Sequence, residues 1–334
     1  MKALKFIGIA VLALIVIFFI LSFVVANEYH VEKSVEIEAP QNLVYEQAVH
    51  FDNFQTWSPW SALDSSMTTV YEGEFGKVGS KYSWEGNDDV GSGTQEITAA
   101  TPEKVEIDLH FMTPFEAKAK TQYLFEPADK KVKVTWAMDG ENAWPMNVMN
   151  LFMKGAIGKD YQKGLDSLKV RCEKLVAERV VDGFLIQHVE LGERSYVGKR
   201  GVIKFAEIDT FYETHFGLIF GALGAKGVEP IGMPSGVFYK WDEETGTADM
   251  MAAAPCPAGT TLEGYESINV GGKALMVDYY GPYEASEKAH MAISTYMEKN
   301  KIELNVHVIE EYITDPETEK DPAKWLTKVY YMIK

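Results

Sequence analysis

The hydrophobic and polar positions divide this chain into three segments with different patterns. The first is an uncharged apolar run from Phe6 to Ala26. The second alternates apolar and polar residues as strands do, and it ends in one long stretch with helical spacing. The third begins near Gly183, where strand and helix patterns follow one another twice. Together they predict an α+β protein of two domains preceded by one apolar helix.

The apolar run has the length of a membrane span, since about 20 apolar residues cross the hydrocarbon core of a bilayer. Lys2 and Lys5 precede the run and Glu28 follows it. By the positive-inside rule this arrangement keeps the amino terminus in the cytoplasm and places the rest of the chain on the outer, periplasmic or extracellular, side. We therefore expect a single-pass transmembrane anchor over residues 1–28.

A cleaved signal peptide is the competing interpretation of the same run. Val24 and Ala26 lie before Asn27 in an arrangement that resembles a small-residue cleavage site. The apolar region of a signal peptide is normally shorter, roughly 7 to 15 residues, and this difference favours an uncleaved anchor.

The second segment predicts an antiparallel meander covered by a long helix. The alternating stretch HVEKSVEIEAP is followed by a helical one, and strand-like stretches separated by Gly, Pro, Asp and Asn then continue to about Glu141. Beyond Pro145 apolar residues recur at spacings of three and four, at Ile157, Tyr161, Leu165, Leu168, Cys172 and Leu175. We place this domain at residues 29–178.

This order of elements resembles the helix-grip fold of the polyketide cyclase/dehydrase and lipid-transport (SRPBCC) superfamily, over roughly His30 to Val176. The matching stretches are IEAP, WSPW and GSKYSWEGNDDVGSGTQEI. The resemblance implies a pocket between the sheet and the long helix. For Trp57, Trp60 and Trp84, packing in the core is the alternative to ligand contact.

The third segment, residues 179–334, divides into two similar halves that each run strand, helix, strand, strand. Two such units with half-buried sheets can cover each other, and a cleft between duplicated units is a common ligand site. The pattern resembles the GyrI-like small-molecule-binding domain, the effector-binding module of bacterial multidrug-sensing transcription activators. The matching stretches are PIGMPSGVFYKWD, YYGPYE and EEYITDP.

In the drug-sensing members of that family a buried glutamate, flanked by aromatic residues, recognises lipophilic cations. The resemblance assigns this role to Glu310, while the additional acid Glu311 leaves the register open by one position. In a strand Glu310 shares a side with Tyr312, and Glu311 faces the other way. We expect Glu310 in the cleft and Glu311 exposed. A hairpin edge whose two acids both reach water is the alternative.

A carboxylate taken out of water needs a counter-charge or hydrogen bonds, and an apolar cation could supply the charge. Aromatic rings add attraction of roughly 0.5 to 2 kcal/mol each for a well-placed cation. Core packing is the alternative for each ring. The candidate ligand-binding residues are Glu310, Tyr312, Tyr279, Tyr239 and Trp241.

Composition and motif spacing exclude several classes of partner and site. Lys+Arg of 32 against Asp+Glu of 49 gives a net charge of -17, which repels phosphate backbones, so nucleic acid is not expected as a partner. Cys172 and Cys256 lie far apart without a CxxC motif, and the seven histidines lack metal-ligand spacing. The stretches GMPSG and VGGK are neither a nucleophile elbow nor a phosphate loop. We expect no metal and no cofactor.

The sequence therefore predicts a membrane-anchored, non-enzymatic protein that binds a small apolar, possibly cationic, organic ligand in its second domain. The alternative is an enzyme, because some GyrI-like proteins resemble hydrolases of reactive small molecules. Glu310 would then activate water and Tyr312 would donate a hydrogen bond. A third hypothesis is a scaffold whose outer domains bind another protein, which a large exposed apolar patch would favour.

Overall fold

The computed structural model describes residues 2–128 and 131–334, with side chains from residue 5 onwards. The chain forms two compact units, Met1–Val176 and Ala177–Lys334. Both combine antiparallel strands with helices, and a long apolar helix begins the chain. The predicted α+β fold class is confirmed.

The first helix, α1, spans Lys2–Val24. Residues Lys5–Val24 have a mean hydropathy of 3.2, and the helix is long and apolar enough to cross a membrane. A signal sequence near the amino terminus can also form an apolar helix of this kind, so the helix alone does not establish an anchor.

The first unit continues with a seven-stranded antiparallel sheet and three helices. The strands are β1 (Glu28–Ile37), β2 (Thr68–Glu72), β3 (Lys81–Glu85), β4 (Ser92–Ala100), β5 (Lys104–Thr113), β6 (Ala117–Ala128) and β7 (Lys131–Glu141). The helices are α2 (Gln41–Val49), α3 (Phe51–Phe54) and α4 (Asn150–Arg179). The sheet order is β1-β7-β6-β5-β4-β3-β2. Strands β2 to β7 form a meander, and β1 pairs with β7 as an edge strand.

Helix α4 covers the sheet with the apolar stripe that the sequence predicts. Its buried residues include Tyr161, Leu165, Leu168 and Cys172. The ring of Tyr161 stacks on Trp136 of β7 with centroids 3.8 Å apart. Aromatic side chains of the sheet and of α4 therefore pack directly against each other on the face that α4 covers.

Hydrogen bonds hold these rings in place. The Trp136 indole donates to the Thr121 hydroxyl at 2.9 Å, and the Tyr161 hydroxyl lies 3.2 Å from the same oxygen. The Trp57 indole donates to the carbonyl of Gln47 at 2.7 Å. Trp57 and Trp84 belong to the buried core and Trp60 packs against it, as the core-packing alternative predicted.

The second unit begins with a short hairpin, β8 (Val180–Val181) and β9 (Phe184–Leu185), and then repeats one motif. The first copy comprises β10 (Gln187–Lys204), α5 (Ile208–Ala225), β11 (Ser235–Asp242) and β12 (Thr247–Pro257). The second copy comprises β13 (Glu266–Tyr280), α6 (Glu287–Asn300), β14 (Leu304–Tyr312) and β15 (Leu326–Ile333). The predicted duplication of strand, helix, strand, strand is confirmed.

The six long strands of the second unit close into a barrel in the order β10-β12-β11-β14-β15-β13. Helix α5 packs through Ile219 and Leu223 on the outer face of β10 and β12. Helix α6 packs through Ala289 and Ile293 on the outer face of β13 and β15. Because β11 and β14 lie between these two strand pairs, their outer face forms the floor of a groove whose walls are the two helices.

Candidate functional site

The two adjacent acids of β14 lie on opposite faces of that strand, and both are buried. Glu310 has 8% and Glu311 has 6% of its surface exposed. Glu310 faces outward into the groove, and in the sheet it pairs with Gly236 of β11. Glu311 faces the barrel interior. The expectation that Glu311 is exposed is therefore wrong, because the closed barrel buries the inner face of β14 as completely as the helices bury the outer one.

Three donors surround the Glu310 carboxylate. Its Oε1 atom lies 2.7 Å from Nε2 of His290 and accepts from the Ser286 hydroxyl at 3.2 Å. Its Oε2 atom accepts from the Tyr312 hydroxyl at 2.7 Å. Ser286 and His290 lie at the beginning of α6, one turn apart on the same side, so that both reach the neighbouring strand. Both oxygens of the carboxylate thus have hydrogen-bond partners although the group is buried.

These donors determine the charge of Glu310. Burial alone raises the pKa of a carboxyl group, because it penalises the charged form. Here the hydrogen bonds from His290, Tyr312 and Ser286, with the field of the imidazole, outweigh burial and hold the pKa of Glu310 below its ordinary value. Glu310 is therefore ionised at neutral pH.

His290 and Tyr312 are each hydrogen-bonded to a further tyrosine outside this cluster. His290 Nδ1 lies 3.0 Å from the hydroxyl of Tyr331. The Tyr312 hydroxyl lies 3.0 Å from that of Tyr212 on α5. Since Tyr312 has one phenolic proton and it goes to the carboxylate, Tyr212 donates in turn to Tyr312. A hydrogen-bonded chain therefore crosses the groove from one helix to the other.

Aromatic rings enclose the cluster on both sides. On the α5 side Tyr212 stacks on Phe216 with centroids 4.8 Å apart, and Tyr212 meets the Tyr312 ring edge to face at 5.5 Å. On the other side Tyr283 meets Tyr312 at 5.2 Å and stacks on Trp325 at 5.1 Å. The rings are partly exposed. They give the groove an apolar lining with electron-rich faces around one buried negative charge.

Gly236 makes room for this arrangement. It lies opposite Glu310 in the sheet, and a methyl group at this position would overlap the Tyr212 hydroxyl. The absence of a side chain at Gly236 therefore lets Tyr212 reach Tyr312 across β11.

The inner carboxylate has a different environment. Oε1 of Glu311 accepts from the backbone N–H of Met233 at 3.0 Å, and Oε2 lies 3.5 Å from the hydroxyl of Tyr330. A methyl group on Gly232 would overlap Oε1. Glu311 thus holds the segment that leads into β11 against the barrel, which is a structural role.

The structure brings together two of the five predicted site residues, Glu310 and Tyr312, and places the other three elsewhere in the second unit. Tyr279 is buried beneath α6, where its hydroxyl donates to the carbonyl of Pro282 at 2.9 Å. The Tyr239 ring lies under the guanidinium of Arg200, 3.7 Å from it. Trp241 is half exposed at the end of β11 and stacks on Phe205 at 4.0 Å. A bulge between Phe238 and Lys240 separates Tyr239 and Trp241 from the regular register of β11.

The residues that complete the cluster were not predicted from the sequence. Tyr283 lies within the motif YYGPYE, so the signal was present, but Tyr279 of the same motif was selected. His290 was treated as one of seven isolated histidines, because its partner is 20 residues away in the sequence. The other missed residues, which carry no local signal, are Tyr212, Ser286 and Trp325.

Metal binding has no support in the described ranges, 2–128 and 131–334, where no group of three or more His, Cys, Asp or Glu side chains could hold an ion. Cys172 and Cys256 are both buried.

Solved structures with similar folds were found at low sequence identity. The C-terminal domain of EcmrR is 17% identical over 45% of this chain and 98% of that chain, with a TM-score of 0.38. A hydrolase encoded by lin2189 from Listeria innocua is 11% identical over 45% of this chain and 91% of that chain, with a TM-score of 0.34. The Aha1 dimer from Colwellia psychrerythraea is 17% identical over 43% of this chain and 96% of that chain, with a TM-score of 0.33.

No curated protein matches the sequence. A family model does match part of it, and the matched range contains the meander and most of α4. Residues 28–173 match the family described as polyketide cyclase / dehydrase and lipid transport, as the helix-grip pattern predicted.

Proposed function

We propose that the second unit binds a small lipophilic organic cation in the groove between α5 and α6, and that α1 anchors the protein in a membrane. The observation that carries this proposal is the ionised Glu310, buried at the floor of an aromatic groove. A buried charge is costly unless it is paired, so a site that keeps one next to partly exposed rings is suited to a ligand of opposite charge.

The rings define where the cation would lie. Tyr312, Tyr212 and Tyr283 meet edge to face, and Tyr312 also binds Glu310. A cation on the open side of Tyr312 would contact ring faces, worth about 0.5 to 2 kcal/mol, and would lie close to the carboxylate. Displacement of water from these rings supplies the apolar part of the affinity.

The geometry favours binding over the hydrolase alternative. A general base works best when its pKa lies near the working pH. The three donors around Glu310 hold its pKa below the ordinary value, which makes the carboxylate a weak base. Ligand recognition uses the charge of Glu310 without requiring proton transfer.

Two buried asparagines support retention of α1. The Asn147 side chain donates to the carbonyls of Ser22 and Val25 at 2.8 and 2.7 Å. Asn150 donates at 2.8 Å to the carbonyls of Ala26 and Asn27. These amides satisfy carbonyls at the carboxyl end of α1 that lack helical partners. Cleavage after Ala26 would remove both acceptors of Asn147, which is 1% exposed.

The test is binding by the detergent-solubilised full chain. A quaternary ammonium compound whose aromatic or alkyl body contains an ester bond and its uncharged carbon isostere are titrated by calorimetry, and turnover is followed by mass spectrometry of the recovered compounds. We expect the cation to bind more tightly than its isostere and to be recovered unchanged. Equal affinity for both compounds would contradict the role of Glu310, and a hydrolysed product would favour the enzyme.

A further inference from the structure

The end of the first unit from which α1 emerges carries a concentration of exposed apolar side chains. Trp144, Met146, Met149, Leu151 and Phe152, in the connection from β7 to α4 and the first turn of α4, are between 44% and 69% exposed. Soluble surfaces seldom place so many large apolar groups together without a partner.

A hairpin adds to the same end of the sheet. Phe115, in the β5–β6 turn, is 83% exposed and Met112 is 48% exposed. The register fixes their position: β6 pairs with β7 through Ala119 and Gly140, and β1 begins opposite the last residue of β7. The turn containing Phe115, the end of β7 and the exit of α1 therefore lie at one end of the sheet.

Direct contacts join this apolar surface to α1. The Trp144 ring lies 5.9 Å from that of Phe19 and 5.7 Å from that of Phe23, centroid to centroid. Asn147 donates to the carbonyl of Ser22 in the last turn of the helix, and Asn150 donates to that of Ala26 just beyond it. The apolar surface is thus continuous with the apolar side of α1. Buried hydrogen bonds fix the orientation of α1 relative to this surface.

We propose that residues 112–115 and 144–152 form a membrane collar, which inserts into the lipid interface around the point where α1 leaves the bilayer. The inference rests on the proposed anchoring by α1. Trp and other aromatic side chains favour the boundary between headgroups and hydrocarbon, where one part of the ring is apolar and the other is wet. The first unit is then seated on the membrane surface instead of being tethered at a distance from it.

Charge indicates which lipid property matters. Exposed acids (Glu28, Glu116 and Glu141) and exposed bases (Lys118 and Lys154) are mixed at this end of the sheet and at the beginning of α4. Because the bases do not outnumber the acids, the surface has no excess positive charge to attract anionic headgroups, so the collar inserts through apolar contact and does not depend on anionic lipid. Zwitterionic phosphatidylcholine is therefore a sufficient partner.

Site-directed spin labelling of the full chain in phosphatidylcholine nanodiscs tests the collar. Phe115→Cys and Phe152→Cys place a nitroxide on the hairpin and on α4, and the two natural cysteines are buried and serve as the unlabelled background. Val170→Cys is the matched control, because Val170 is 67% exposed on α4. It lies about 30 Å along the helix from the collar, at 1.5 Å per residue.

We expect labels at 115 and 152 to be several-fold more accessible to oxygen, relative to a water-soluble nickel chelate, than the label at 170, with or without anionic lipid. Equal nickel accessibility at all three positions would overturn the collar. Shielding that occurs only when several chains share a disc would overturn it too, because a second copy would then cover the surface. A chain that is not retained by the discs would contradict the anchor itself, so the two failures are distinguishable.

Discussion

Glu310 and Glu311 are neighbours in the sequence, but one carboxylate faces the groove between two helices and the other faces the interior of a barrel. Glu310 contacts His290, Ser286 and Tyr312, whereas Glu311 accepts a hydrogen bond from the backbone of Met233. Strand alternation separates them, and the layers on both sides of β14 bury them both. Each acid consequently has its own measurable role.

Glu310→Gln should abolish the preference for cations. The substitution keeps the shape but removes the charge, and the loss of one partner of a desolvated pair costs about 2 to 5 kcal/mol of binding free energy. Titration calorimetry with a quaternary ammonium ligand and its uncharged isostere measures this effect. The isostere should bind the variant as well as it binds the wild type.

Glu287→Gln is the control for that measurement, because Glu287 is an exposed acid at the first residue of α6. We expect a change below about 1 kcal/mol, as for other exposed charges. Similar losses in both variants would mean that a diffuse acidic field, and not Glu310, attracts the ligand.

Gly236→Ala and Gly232→Ala should separate binding from stability. Each added methyl overlaps a buried oxygen, so overpacking should cost each variant about 1 to 3 kcal/mol of unfolding free energy. Only Gly236→Ala displaces Tyr212 from the groove, and we expect only this variant to lose ligand affinity. Urea unfolding and calorimetry on the same preparations test this. A loss of affinity in Gly232→Ala as large as in Gly236→Ala would contradict the separation.

His188 should make the second unit less stable in weak acid. Burial, with a contribution from the positive charge of Arg179, lowers the pKa of His188 to about 4. The unfolded chain, with an ordinary histidine pKa near 6.5, therefore binds the proton first as the pH falls. The stability that depends on uncharged His188 is fully present above about pH 6.5 and is lost progressively between that pH and about pH 4.

His188→Gln removes this titration while keeping a donor for the Tyr296 hydroxyl, which lies 2.9 Å from His188 Nε2. Urea unfolding between pH 4 and 7 should show a shallower loss of stability in the variant. Identical slopes would show that other groups cause the decline.

Asn147→Ala should loosen the junction of α1 with the first unit. The carbonyls of Ser22 and Val25 lose their donor, at a cost of about 1 to 3 kcal/mol for buried groups. The measurement is thermal unfolding in detergent, combined with sequencing of the amino terminus. A mature wild-type chain that begins at Asn27 would show a signal peptide and contradict the anchor.

Fragments from about Glu28 to Ala177 and from about Val180 to Lys334 should fold separately, because each contains a buried apolar core of its own. Circular dichroism and thermal unfolding measure this. If one fragment stays unfolded while the full chain folds, the boundary near residue 178 is misplaced.

Periodicity was sufficient to predict most of the architecture. The stripe on α4 and the repeated strand, helix, strand, strand order depend on local spacing, which the sequence displays directly. Closure of the second unit into a barrel was not predicted, since it depends on pairing between β10 and β13, strands that lie far apart in the chain. The burial of Glu311 is a consequence of that closure.

The site was only partly predictable for a similar reason. Alternation along β14 correctly places Glu310 and Tyr312 on one face. The partners that hold Glu310, above all His290 and Tyr212, come from two helices, and no spacing along the sequence connects them. Tyr239 and Trp241 were candidates through the motif of the resemblance, whereas the structure packs Tyr239 against the barrel interior and stacks Trp241 on Phe205.

The pairing of Gly236 with Glu310 joins the two copies of the repeat at the centre of the groove. One copy provides empty space and the other provides the charge, so the internal symmetry of the fold is broken where a ligand would lie. A ligand titration should therefore give a stoichiometry of one bound molecule per chain, although the fold is duplicated. A molecule with two different ends would enter in a single orientation, with its charged end towards the second copy.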